Sequence, residues 1–76
     1  MKQIAFVDKT TKVRFYKNPN FSQFLETVKQ IKEQKVKKRQ DERAVNYVTN
    51  VYMKKKISIS TSYILKTKQL IKDGKL

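Results

Sequence analysis

The stretch from Phe21 to Ile31 constrains the fold more than any other part of the chain. Its apolar residues fall at Phe21, Phe24, Leu25, Val28 and Ile31, with Val36 after a gap, while Lys29, Lys32, Glu33 and Lys35 occupy the other positions. Spacings of three and four residues put one apolar stripe on an α-helix, and that stripe demands a second layer to bury it. The only proline lies just upstream, in Asn18-Pro19-Asn20. Either Asn can cap free N–H groups and Pro19 bars a preceding helix from continuing, so a helix over about 20–38 is predicted.

The second layer has to come from the flanking segments. Upstream, Ile4-Ala5-Phe6-Val7 and Val13-Arg14-Phe15-Tyr16 are two short β-type runs separated by a polar connection of hairpin length, Asp8-Lys9-Thr10-Thr11-Lys12. They read as a β-hairpin over 1–17 that is too small to stand alone and must pack on helices. Downstream, Ala44, Val45, Val48, Val51 and Tyr52 recur with helical spacing behind Asp41 and Glu42, whose charge suits a first turn, giving a helix over about 41–54. No Gly or Pro separates it from the preceding helix, so 21–53 can be read as one helix or two. A last helix over about 61–73 is capped by Ser60 or Thr61 and stopped by Gly74, the only glycine. The expectation is a single α+β domain, an N-terminal β-hairpin followed by three helices. Its core combines Phe6, Phe15, Phe21, Phe24, Leu25, Val28, Ile31, Val45, Val48, Val51, Ile64 and Leu70.

Composition narrows what such a domain can do. The 76 residues carry 19 Lys+Arg against 6 Asp+Glu, a net charge of +13, with no Cys and no His. Thiol chemistry, Cys-ligated metals and His-based acid–base catalysis are therefore excluded. Glu26 and Glu33 lie two turns apart, Asp41 and Glu42 point in different directions, and one Gly cannot form a phosphate-binding loop, so no enzyme, metal site or cofactor is expected. Residues 44–76 hold seven basic groups and one acidic group. Such a face neutralises phosphates and releases counterions.

Within that basic third, Lys54-Lys55-Lys56 leads into Ile57-Ser58-Ile59-Ser60-Thr61-Ser62-Tyr63-Ile64-Leu65, followed by Lys66-Thr67-Lys68-Gln69-Leu70-Ile71-Lys72 and Gly74. Residues 41–76 resemble the helix-turn-helix domains of small prokaryotic and phage regulators, in which an Ile-Ser-x-Ser-Thr run caps the recognition helix. Members of that family usually have a small residue in the first helix and a Gly in the turn, where this chain has Tyr52 and Lys56. The resemblance implies that the last two helices form the motif and that duplex DNA is the partner. It puts Ser60, Thr61, Ser62 and Tyr63 nearest the phosphates and bases, with Lys54, Lys55, Lys56, Lys66, Lys68 and Lys72 beside them. The function it implies is transcriptional or recombination regulation of the phage or mobile-element kind, as a homodimer on a two-fold site.

Other readings of the same residues stand beside it. If 55–60 is a strand, the segment resembles ribbon-helix-helix proteins. A basic chain without catalytic inventory also suits an inhibitor or adaptor on an acidic protein surface, and RNA is a third partner class. Tyr16, Tyr47, Tyr52 and Tyr63 could stack on bases, but Tyr47 and Tyr52 are better read as half-buried with their hydroxyls in water. The N-terminal apolar run is too short for a signal peptide, and no stretch approaches a membrane span. A cytoplasmic protein without membrane partners is expected.

Overall fold

A computed structural model describes residues 4–76. Strands β1 (Ile4–Val7) and β2 (Arg14–Tyr16) form an antiparallel hairpin, followed by helices α1 (Phe21–Glu33), α2 (Glu42–Lys54) and α3 (Thr61–Lys72), with a 3₁₀ turn at Lys37–Arg39 between α1 and α2. The domain is thus α+β, as the periodicities predict, and residues 21–53 form two helices. Phe6 pairs with Phe15 and Val7 with Arg14, while an irregularity between Ile4 and Phe6 shifts the register.

Asp8 builds the hairpin loop. Its main chain exchanges bonds with Val13 and Lys12, Asp8 N to Val13 O at 3.0 Å and Lys12 N to Asp8 O at 2.7 Å. Its carboxylate accepts from the Thr10 N–H at 3.3 Å and the Thr11 hydroxyl at 2.9 Å. This is a side chain mimicking a backbone turn, a role to which Asp is suited. The turn closes with Lys12 in the left-handed region at φ 64°.

Helix α1 starts at a capping box. The Asn20 side chain accepts from Gln23 N at 2.9 Å and the Gln23 side chain accepts from Asn20 N at 3.1 Å. The helix ends at Glu33, short of the predicted 38. Lys35 adopts φ 56° and bonds back to Lys32 O, Val36 is extended, and the Gln40 side chain donates to the same Lys32 carbonyl at 2.8 Å. A left-handed lysine and a distant amide therefore perform the stop that Gly or Pro would have announced.

The core is Val13, Phe15, Phe24, Val28, Ile31, Ala44, Val45, Val48 and Tyr52. Phe6, Val51 and Ile64 are only half-buried against it, and Phe21, Leu25 and Leu70 are likewise half-buried, all six having been expected inside. Tyr52 takes the central place that its hydroxyl seemed to deny it. That hydroxyl donates to the Tyr16 carbonyl at 3.1 Å, and the ring meets Phe15 edge-on with centroids 5.1 Å apart. Burial pushes its pKa up to about 12.

Within the single chain, residues 55–60 pair with no described strand. Ile57 and Ile59 are half-buried against the core and alternate with exposed Ser58 and Ser60, so the period-two pattern marks an extended connection. Helix α2 closes on Lys56 at φ 59°, with Lys56 N bonded to Met53 O and Ile57 N to Tyr52 O. Helix α3 closes in the same way on Gly74 at φ 73°, with Gly74 N bonded to Ile71 O and Lys75 N to Leu70 O. Both are Schellman closures, one built on the expected glycine and one on a lysine.

Candidate functional site

Helix α3 divides cleanly into two faces. Tyr63, Ile64, Thr67, Leu70 and Ile71 point inward, Thr67 fully buried and the others half-buried. Thr61, Ser62, Leu65, Lys66, Gln69 and Lys72 are exposed. Ser60 occupies the N-cap position with extended backbone, yet its hydroxyl makes no capping bond and the first turn contains no acidic residue. The start of α3 therefore presents three exposed hydroxyls, at Ser60, Thr61 and Ser62, beside helix N–H groups that carry partial positive charge.

The ten residues singled out by the sequence do not form one surface. Ser60, Thr61 and Ser62 gather at the amino end of α3. Lys66 flanks them, its ammonium lying 5.6 Å from the centre of the Phe21 ring. Tyr63 turns inward and packs on that same ring, centroids 5.7 Å apart, so it docks α3 onto α1 while remaining half-buried. Lys68 is half-buried on the flank of the inward face. Lys72 pairs with Glu42 at 3.4 Å at the far end of the helix. That contact is exposed on both sides and contributes little stability.

The Lys54-Lys55-Lys56 run splits. Lys56 lines a depression with Ile4, Lys17 and Ser58. Lys54 and Lys55 face a groove between the hairpin and α2, a cavity of about 410 Å³ also lined by Phe6, Val7, Asp8, Lys9, Arg39, Tyr47 and Val51. Within it the Tyr47 hydroxyl donates a short hydrogen bond to the Asp8 carboxylate, and the Arg39 guanidinium lies 4.8 Å from the Tyr47 ring centre. Burial pushes the Asp8 pKa up, but the bonds from Tyr47, Thr11 and the Thr10 N–H, with the Arg39 charge, outweigh it and hold the carboxyl below its ordinary value. Burial and the Asp8 carboxylate together raise the Tyr47 phenol.

Sequence reasoning missed Leu65 and Gln69 on the outward face of α3. Leu65 is 61% exposed although apolar, and Gln69 is bonded to Asp73 at 3.0 Å. The signal was present in the helix phase, because counting four from Thr61 reaches Leu65 and then Gln69. Each tyrosine is also engaged within the fold. Tyr16 and Tyr52 are buried, and Tyr47 and Tyr63 are engaged as described.

Among the described residues no group of three or more acidic side chains gathers where it could hold a metal ion, and no helix is long and apolar enough to cross a membrane. The fold and its surface define a small, strongly basic α+β domain whose last helix exposes a polar, cationic face. Comparison with protein families, with curated proteins and with solved structures finds no match.

Proposed function

We propose that this protein is a non-enzymatic DNA-binding regulator that contacts duplex DNA through the amino end and outward face of α3. The observation that carries the reading is the exposed row Ser60, Thr61, Ser62, Leu65, Lys66 and Gln69 on one helix of a chain with net charge +13. Hydroxyls and helix N–H groups suit phosphate oxygens, Gln and Ser suit base edges, and an exposed Leu suits a thymine methyl. The turn before α3 spans Lys55–Ser60, longer than the three or four residues of the usual motif. Its left-handed position is filled by Lys56, where that motif favours Gly. The regulator acts in the cytoplasm, on transcription or recombination of phage or mobile elements, as a homodimer on a two-fold site.

The test is affinity for sheared genomic duplex at physiological salt, with the bound fragments sequenced. Enrichment of one short sequence, bound about 10³-fold or more tightly than bulk DNA, is expected. Charge reversal at Lys66 should cut that affinity by about tenfold or more and reduce the salt slope by about 0.9 per lost phosphate contact. Reversal at half-buried Lys68 should have a smaller effect. Uniform weak binding that vanishes with salt would overturn the reading, and preference for structured RNA in competition would replace the duplex.

A further inference from the structure

We infer that the groove between the hairpin and α2 is a second binding surface, which takes an extended acidic peptide segment of a protein partner. It lies apart from the outward face of α3 and does not depend on the DNA reading. Three observations carry it. First, the groove is cationic: Lys9, Lys54 and Lys55 are exposed around it and Arg39 is half-buried in it, against the single carboxylate of Asp8. Second, it is apolar beneath the charges, with Phe6 and Val51 half-buried and Val7 49% exposed. Third, among the described residues β1 is paired only with β2 in a two-stranded sheet, and its four residues, Ile4 to Val7, carry no charge or proline to guard the other edge.

An extended segment alternating apolar and acidic residues matches all three. Its backbone can pair with β1, the side chains turned toward α2 bring carboxylates to Lys54 and Lys55 above Phe6 and Val51, and the apolar set lies beside exposed Val7. A single-stranded nucleic acid fits worse, because base stacking needs a free aromatic face. Phe6 stacks on Phe15 at 4.9 Å and carries Lys55 over its ring at 5.3 Å, while Tyr47 is covered by Arg39. Asp8, tied by Tyr47 and Thr11, adds a fixed negative charge that a continuous phosphate backbone must pass.

The probe is an eight-residue, end-blocked peptide alternating valine and glutamate, titrated into the full chain and followed by amide NMR shifts. Saturable shifts concentrated at Ala5, Phe6, Val7, Tyr47 and Val51 are expected. The pair Lys9→Glu with Lys54→Glu, both exposed and checked for an unchanged circular dichroism spectrum, should weaken binding by about tenfold or more. Lys66→Glu should change it by less than about twofold, and a valine–lysine peptide of the same length should not bind. The proposal is overturned by shifts that scatter over the lysines without saturating, by equal affinity of the double variant, or by an eight-nucleotide oligothymidine that displaces the peptide at lower concentration. The last outcome would assign the groove to nucleic acid.

Discussion

The hairpin with α1 and α2 differs in kind from α3. The first region is closed by fully buried Phe15, Phe24, Val28, Ile31, Val45, Val48 and Tyr52 and by hydrogen bonds that join distant segments, Tyr52 to Tyr16 and Tyr47 to Asp8. Helix α3 lies on that base with one fully buried residue, Thr67, whose hydroxyl bonds back to Tyr63 O at 2.7 Å within its own helix. Apart from Thr67, its inward side chains are only half-buried. The difference separates a base that carries most of the buried apolar packing from a helix docked through a half-buried seam.

The largest effect should follow from cutting the base at its centre. Tyr52→Ala removes the biggest fully buried side chain and should cost about 3–5 kcal/mol, a large part of the stability of so small a domain. Ile71→Ala, at the half-buried seam of α3, should cost well under half of that. Urea unfolding of both variants compares them, and amide hydrogen exchange should find α3 opening below the global free energy. Equal costs, or α3 amides as protected as those of α2, would erase the distinction.

Tyr52→Phe sharpens it by keeping the ring and removing the hydroxyl. The hydroxyl's bond to the Tyr16 carbonyl is then lost inside the core, which should cost about 1 kcal/mol. The wild type should also weaken in alkali. Because the folded pKa is pushed up to about 12 from 10.0, the contribution is complete below pH 10 and is lost as pH rises through the folded value. Tyr52→Phe should lack that particular loss, as measured by urea midpoints from neutral pH upward.

Much of this architecture is legible in the sequence because periodicity reports it directly. Val13, just before β2, and Phe15 within it are buried on either side of exposed Arg14, and Phe24, Val28 and Ile31 line one side of α1. The end of α1 is not legible, since Lys35 enters the left-handed region without any residue-type signal and Gln40 supplies the capping amide from eight residues away from Lys32. The groove is less legible still. Asp8, Arg39, Tyr47 and Lys54 share no spacing, and only folding brings them together. On α3 the run of hydroxyls and lysines was visible, but the helix phase decides which are free, turning Leu65 outward and Lys68 partly inward.

A smaller effect belongs to the link between hairpin and α2. Asp8→Asn keeps the shape but weakens the acceptor for Tyr47 and Thr11, and should cost about 1 kcal/mol or less at this partly exposed site. The Asp8 pKa is held below its ordinary 3.8, so its contribution is complete above that value and is lost as pH falls through the folded one. Thermal melts stepped down from pH 5 should therefore show less acid sensitivity in Asp8→Asn than in the wild type. If both respond alike, the carboxylate does not hold the hairpin.

The smallest effect has the opposite sign and lies at the joint between the two regions. Lys56 ends α2 at φ 59°, a conformation in which a side chain costs about 1–2 kcal/mol relative to glycine. Lys56→Gly relieves that strain but returns about 0.4–1 kcal/mol of conformational freedom to the unfolded chain, leaving a net gain of about 0.5–1 kcal/mol. The Cβ at this position makes no demand of the core, since Lys56 is exposed. Lys54→Gly, two residues earlier and still helical, should instead lose about 1 kcal/mol. Opposite shifts of the urea midpoint at 54 and 56 are the expected pattern. A loss at both would mean that the joint draws its stability from the lysine side chain, and that α3 is held to the base more firmly than its half-buried seam implies.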